Sequence, residues 1–543
     1  MDLECLPYRV GHQDGEGICI LVKMGTRRIL LDCGMEDLSP LLAADKHPPA
    51  DVVLCSHAHS DHAQGLFALH QAFPQLPVYT SEVTGHLLPL NWPDYPWYEV
   101  PRFWQTLPWR KSIELYRDLT VEMFPAGHLP GAAAFLLTYT GYMETETRPL
   151  TLFYTGDFLL SNSRMVQGLP LEDLRRLQPD VLVVEGSYGT SRFSHRRAQE
   201  NQLLERIAQA ISMGQSVCLP VPALGLGQEL LMLLRSHHLF SGRPLDIWVQ
   251  GSVAWGCDLY LEILQHLPAS VQNFAYHQPL FWDERIYPRV RRLTSEQYSS
   301  LGKTPCVAIA DSRFDLEAYR HPESGPWLVL RSQNPGYGET VTPTGPFVNA
   351  QNTTFESYLL SEHCDVTGTT QLIHNLRPQH AIFIHGAPTY LADLTNLPEL
   401  RNRYHLHAPD AGNLVELPVS ETFHETSTVS ETTTTYQGEL MATDEGVVVT
   451  LPGMLQEDSR WQEIADTGLV EARWQGEELV MRGISQRELM SQDDPDKIPE
   501  NQEACGNCRH FRGQRCWNPA SPLFELKVPA DGYCPAYEPL ADE

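Results

Sequence analysis

The segment His57-Ala58-His59-Ser60-Asp61-His62 follows, after the single residue Ser56, on the apolar run Val52-Val53-Leu54-Cys55, and no other stretch restricts the fold so strongly. It places four potential metal ligands within six residues. Three imidazoles and a carboxylate can be aimed at one point if a rigid strand holds the start of their loop. Neutral imidazole and carboxylate are the donors that zinc takes in hydrolytic sites. A polar surface loop that merely happened to be rich in histidine would not need the strand before it. The segment therefore predicts a metal site at a strand end of a layered α/β architecture.

Three more candidates have the same setting. His128 lies in FPAGHLPGAAAF, Asp157 in FYTGDF and His385 in IFIHGAP, each behind an apolar run and each beside a glycine that permits close backbone approach. With His57, His59, Asp61 and His62 they make seven donors, more than one tetrahedral ion uses.

Residues 1–190 alternate short β-branched runs (ILLDCG, DVVLCSH, LTLFYTGDF, DVLVVEG) with loops and helix-like stretches. From about 191 to 356, longer amphipathic stretches (RAQENQLLERIAQAISMG, GQELLMLLRSHH) interleave with strands (SVCLPV, PLDIWVQ, PCVAIA, PWLVLRS), which predicts a second α/β unit. Residues 357–418, with the strand-like AIFIHG, resemble the first region again. The Ser/Thr-rich stretch 419–436 reads as a linker, 437–487 as a small β-rich module (GVVVTL, LVEARW, ELVMRG), and 488–504 as a second, acidic linker.

Charge bears on the substrate. The formal net charge is −29, with 39 basic against 68 acidic residues, an awkward balance for binding a phosphate backbone. Residues 437–504 alone hold sixteen acids and five bases, so part of the excess lies outside the candidate site. A local basic groove or a metal-centred contact with one phosphate is compatible with that distribution. No apolar run approaches the roughly eighteen residues of a membrane helix, and the first residues show no basic-then-apolar signal, so a cytoplasmic location is expected.

The segments LLDCGM, CSHAHSDHAQGL, AGHLPGAAAF and YTGDF resemble, in order, the motifs of the metallo-β-lactamase superfamily. EGSYGT after VLVV resembles the first extra motif of its β-CASP branch, which includes ribonuclease J, the endonuclease subunit of the cleavage and polyadenylation specificity factor, and DNA-repair nucleases. SEHCDVTGTTQLIHNLRPQHAIFIHG resembles the histidine motifs that close the pattern, and PVPALGLGQELLMLL the segment leading into a helix. The resemblance runs from about residue 5 to 418. It implies an αββα sandwich domain from 1–190 and 357–418, interrupted by a β-CASP α/β domain at 191–356.

The resemblance also implies roles. His57, His59 and His128 would bind one zinc; Asp61, His62 and His385 would bind a second; Asp157 would bridge both. Asp32 would orient the histidine loop. His363 would donate a proton to the leaving oxygen as general acid, with Glu185 fixing its imidazole. The expected reaction is hydrolysis of a phosphodiester in single-stranded RNA. A DNA nuclease of the same branch, an inert scaffold that binds RNA or proteins, and a hydrolase of thioesters or lactams are the rivals. Inert relatives lose ligands, whereas all seven are present here, and a small-molecule hydrolase would need neither Glu185, His363 nor the inserted domain. Leu226 stands where many members carry Arg, GAP follows His385 where an acid is common, and the His363 segment lacks the Ser-Gly-His-Ala of ribonuclease J.

Of twelve cysteines, eight are scattered between Cys5 and Cys364, a pattern unlike a secreted disulfide framework. The other four, Cys505, Cys508, Cys516 and Cys534, fall in a segment too small for its own apolar core, which a metal held by four thiolates would stabilise. Zinc and a [4Fe–4S] cluster both suit that set. These C-terminal modules are also where a homodimer contact or protein partner is expected.

Overall fold

The computed structural model describes residues 3–419, apart from 13–15, 43–46, 96–98, 142–147, 312–313, 317–320, 322 and 334–351. Beyond 419 it describes 439–443, 446–450, 470–475, 478–483, 508–512 and 515–516. The chain divides into two compact units, Met1–Ser430 and Glu431–Glu543.

The first unit begins with six strands, β1 (Leu3–Val10), β2 (Ile18–Met24), β3 (Arg27–Leu31), β4 (Val52–Leu54), β5 (Val78–Thr80) and β6 (Trp104–Thr106). Five follow: β7 (Ile113–Tyr116), β8 (Leu119–Pro125), β9 (Ala133–Tyr139), β10 (Leu150–Tyr154) and β11 (Val181–Glu185). A six-strand run then intervenes, β12 (Ser216–Pro220), β13 (Asp246–Val249), β14 (Arg289–Arg292), β15 (Val307–Ala310), β16 (Trp327–Ser332) and β17 (Thr353–Tyr358). The last three are β18 (His380–Ile384), β19 (His405–His407) and β20 (Val415–Glu416).

These strands form three sheets, ordered β20-β1-β2-β3-β4-β5-β6, β19-β18-β11-β10-β9-β8-β7 and β14-β13-β15-β12-β16-β17. In β11 every residue is buried, and its successive side chains serve different cores. Val181 and Val183 join Ile20, Leu31, Leu54, Tyr154 and Ile382 between the first two sheets. Leu182 and Val184 join Leu66, Leu69, Leu372 and Leu391 from helices on the outer side. A strand covered on both faces reads as a continuous apolar run, which is why VLVV shows no alternation. Helix, sheet, sheet, helix is the resulting layer order.

The third sheet is wholly parallel and lies in sequence between β11 and β18. Its last strand extends to Tyr358, opposite Ser332, two residues beyond the expected boundary at 356. The adjoining helix Leu226–Ser236 is buried almost throughout, including Leu226 at its first position.

In the second unit the described residues form antiparallel hairpins, Glu439–Thr443 with Gly446–Thr450 and Val470–Gln475 with Glu478–Gly483. A third pairs Phe511–Arg512 with Arg515–Cys516. Cys508 is buried. Cys505 and Cys534 lie outside the described residues. No helix among the described residues is long and apolar enough to cross a membrane.

Candidate metal centre

Parallel strands deliver the candidate side chains to one place. Asp32 follows β3, His57 follows β4, Asp157 follows β10, Glu185 ends β11 and His385 follows β18. The registers Leu31↔Leu54, Tyr154↔Val183 and Glu185↔Ile384 align these carboxyl ends. Asp32 and His385 each adopt a left-handed backbone, with φ of 57°. Such conformations cost on the order of 1–3 kcal/mol and persist where surrounding bonds fix them. The His385 amide donates to the Val10 carbonyl at 2.7 Å, tying the second sheet to the first. Gly11 allows this approach, since a β-carbon there would stand 3.0 Å from the His385 ring.

Three nitrogens converge first. His59 Nδ1 lies 3.2 Å from His57 Nε2 and 3.0 Å from His128 Nε2, and Asp157 Oδ2 lies 3.5 and 3.6 Å from those two ring atoms. The opposite ring atoms fix where the protons are. His128 Nδ1 meets the Glu362 carbonyl at 2.9 Å and His59 Nε2 meets the Leu224 carbonyl at 3.3 Å. A carbonyl only accepts, so both contacted nitrogens carry hydrogen. Ser56 Oγ donates to Asp32 at 2.7 Å and therefore accepts from His57 Nδ1 at 3.0 Å. Three lone pairs and a carboxylate oxygen thus face one point, an arrangement that a divalent cation satisfies and that neutral imidazoles alone do not.

The second set has the same logic. His62 Nδ1 donates to Asp32 Oδ2 at 2.7 Å, which turns the Nε2 lone pair towards Asp157 Oδ1 at 3.3 Å. Those two buried atoms have no hydrogen-bond partner. Ser187 Oγ donates to Glu185 and so accepts from His385 Nδ1 at 2.5 Å, leaving His385 Nε2 against Asp61 Oδ2 at 3.2 Å. Asp157 thus presents Oδ2 to the first set and Oδ1 to the second. The described residues contain the groupings His57, His59, His128, Asp157 and Asp61, His62, His385, with Asp157, Glu185, His363 and His385 between them.

Glu185 and His363 are hydrogen-bonded, Oε2 to Nδ1, at 2.7 Å. Beside them Cys364 Sγ accepts from the Leu160 amide, so its thiol is turned into packing rather than towards the imidazole.

Electrostatics sort the histidines. Burial lowers the pKa of His57 and His59, and that of His128 to about 3, so all three are neutral donors. Burial opposes charge on His62 and His385 as well, but Asp157 with Asp32 or Asp61 outweighs it and holds both above the ordinary imidazole value. Burial likewise opposes charge on His363, and Glu185 overcomes it, raising the imidazole. Glu185 is lowered to about 2, burial being outweighed by the facing His363.

Sequence reasoning missed several contributors. Tyr154 donates its hydroxyl to Asp32 Oδ2 at 2.5 Å, and Ser56 gives Asp32 both its amide and its hydroxyl. Ser56 and Ser187 adjoin His57 and Glu185, and that adjacency was the available signal; a backbone carbonyl such as Leu224 leaves none. A small cavity next to His128 is lined by Arg196, Gly225, Glu229, Tyr260 and Glu362. Burial pushes Glu362 up to about 7, even with His363 and Arg196 nearby.

A family profile described as a Beta-lactamase superfamily domain matches residues 27–212. An uncharacterised protein of Synechocystis is 47% identical over 99% of this chain and 97% of its own length. A probable RNase of Methanocaldococcus jannaschii is 29% identical over 42% of this chain, which spans 56% of that protein. Cleavage and polyadenylation specificity factor subunit 3-II of Arabidopsis thaliana is 23% identical over 71% of this chain and 68% of its own length.

Proposed function

The chain belongs to the metallo-β-lactamase superfamily, in its β-CASP branch, and from that premise we propose that it is a two-zinc phosphodiester hydrolase that cleaves single-stranded RNA. The observation that carries the reading is the convergence of two sets of histidine and aspartate ligand atoms on either side of Asp157, with a hydrogen-bonded Glu–His pair at its side. RNA as substrate is supported by the RNase and the cleavage-factor subunit among the relatives.

His57, His59 and His128 would hold one ion, Asp61, His62 and His385 the other, and Asp157 would touch both. When bound, the pair would supply the Lewis acidity that phosphodiester hydrolysis requires. Asp32, fully buried and accepting from Ser56, His62 and Tyr154, fixes the histidine loop. His363 carries its Nδ1 proton towards Glu185 and keeps its Nε2 proton for the leaving oxygen. Glu185 holds that ring charged and oriented. The overall acidity of the chain suits a substrate gripped at one phosphate rather than wrapped. At the far end, Cys505, Cys508, Cys516 and Cys534 would hold zinc or an iron–sulfur cluster.

The test is metal analysis of purified protein together with incubation on labelled RNA and DNA strands carrying different 5′ ends. Two zinc equivalents at the catalytic centre, besides any at the four C-terminal cysteines, and cleavage of RNA, abolished by chelation, are expected. Cleavage of DNA alone would overturn the substrate, and metal-free protein would overturn the reading as a whole.

A further inference from the structure

His59 takes its orientation from a segment that belongs to neither of the first two sheets. Its Nε2 donates to the carbonyl of Leu224, in the connection between β12 and the helix Leu226–Ser236 of the third sheet's unit. Its Nδ1 is the atom that meets His57 Nε2 and His128 Nε2. The carbonyl is aimed by Gly225, which adopts φ 90° and ψ −95°, a conformation that only glycine enters without strain. Space is equally tight. A β-carbon on Gly225 would sit 3.2 Å from Leu129, 3.4 Å from Glu362 and 3.7 Å from His59 Nε2.

Resting on the metal-centre reading above, we propose that the Leu224 carbonyl is a positioning group for His59, so that seating of the inserted unit and affinity for the first metal are one coupled equilibrium. The argument is chemical. A histidine ligand whose distal N–H has a fixed acceptor presents its other nitrogen in one tautomer and one orientation, and loss of that acceptor typically costs 10–100-fold in metal affinity. His57 receives the same service from Ser56, which follows β4 of the first sheet, and His128 from the Glu362 carbonyl, which lies between β17 of the third sheet and β18 of the second. His59 is the ligand of this set whose acceptor lies wholly within the inserted unit. Any movement of that unit away from the sandwich to admit a strand removes its acceptor. By linkage, metal binding must then favour the seated unit by the same factor.

The test reads metal affinity, not turnover. Chelator-competition titration of zinc is carried out on the full-length chain and on Gly225→Ala, whose added methyl and strained backbone displace the carbonyl. Of the two zinc equivalents of the catalytic centre, one should bind 10–100-fold more weakly and the other should be unchanged. One control separates this from general damage. Gly214→Ala strains a glycine of φ 79° in the same unit with nothing within 4 Å, and should bind both ions normally. Hydrogen exchange of the wild-type chain should show added protection at 222–226 when zinc is supplied. Unchanged zinc affinity in Gly225→Ala, an equal loss in Gly214→Ala, or exchange indifferent to zinc would overturn the inference and leave the hydrolase reading intact. A wild-type chain that binds no zinc would overturn both.

Discussion

Glu185 Oε2 lies 2.7 Å from His363 Nδ1, joining residues 178 positions apart in the chain. Glu185 is 2% exposed, and Ser187 donates to the same oxygen, so the carboxylate cannot turn away from the imidazole. A ring held at Nδ1 has one nitrogen left for substrate. His363→Ala should therefore slow RNA cleavage by roughly 10²–10⁴, the usual contribution of a general acid, with both metals retained. Substrates with a better leaving group should suffer less. Collapse of the metal content would make His363 a ligand and reverse this assignment.

Asp157 faces both ligand sets, Oδ2 towards His57 and His128 and Oδ1 towards His62. It is 2% exposed, and nothing else among the described residues bridges the two groups. Asp157→Ala should abolish hydrolysis while far-ultraviolet circular dichroism stays close to that of the wild type. Near-normal turnover would show that the two sets act without a shared carboxylate.

Much of this centre is legible in the sequence because its ligands are strand-end residues. An apolar run followed within three residues by His or Asp tells both that a sheet holds the residue and that the side chain leaves the sheet at its carboxyl end. VVLC before His57, LTLFY before Asp157 and AIFI before His385 are all of this kind. The layered α/β class was legible in the alternation of short apolar runs with helix-like stretches, and the order of its layers only through the resemblance. What composition and spacing could not show are the groups that act through backbone or through distant packing. Tyr154 sits in an ordinary β-strand pattern, and only the meeting of β10 with the loop after β3 brings its hydroxyl to Asp32. Leu224 and Glu362 act through carbonyls, whose direction depends on φ and ψ, not on residue type.

Asp32 gathers four donors, the Ser56 amide and hydroxyl, His62 Nδ1 and Tyr154 hydroxyl, at 2.5–2.7 Å and zero exposure. Removing the carboxylate strands all of them. Asp32→Ala should cost about 3–5 kcal/mol of stability, the scale of a broken buried charge pair, and should weaken zinc binding. Tyr154→Phe removes one donor only and should cost about 1–2 kcal/mol. Urea midpoints of metal-free protein check the order; an Asp32→Ala midpoint equal to that of Tyr154→Phe would mean that the network is already slack.

A second histidine group gives a pH dependence separate from the metal centre. His380 Nε2 donates to the Pro418 carbonyl at 3.0 Å and its Nδ1 accepts from His407 Nε2 at 3.1 Å, while His405 stacks on the same ring. Burial, then the neighbouring imidazoles His380 and His405, lower His407 to about 4 from an ordinary 6.5. The unfolded chain therefore takes up this proton first as pH falls. The stabilisation is complete above about pH 6.5 and is lost progressively towards pH 4. In metal-free protein, the drop in stability between pH 7.5 and 5, read from urea midpoints, should be larger for the wild type than for His407→Gln, by no more than about 1 kcal/mol once solvent screening of this part-exposed ring is discounted. Equal drops would show that this ring titrates alike in both states.

The unit Glu431–Glu543 is a separate compact body, and among the described residues no ligand grouping draws on it. Chemistry at the phosphodiester should then survive its loss. Removing residues 431–543 should leave hydrolysis of a short oligonucleotide within about tenfold, a bound set by 1.4 kcal/mol of barrier. The removed part has a different fate, because Cys508 and Cys516 flank a two-residue-strand hairpin that cannot by itself bury enough apolar surface to fold. If metal binding and folding are one event there, chelation or thiol oxidation of the full chain should unfold the segment 505–543 while the first unit keeps its cooperative melting transition. Visible absorption that bleaches in air would identify a [4Fe–4S] cluster at Cys505, Cys508, Cys516 and Cys534. A colourless protein with one zinc beyond the two of the catalytic centre would identify the tetrahedral alternative. A truncation that abolishes hydrolysis with both catalytic zincs retained would place part of the C-terminal unit in the cleft itself, and would replace the picture of an independent module with that of a substrate-binding arm.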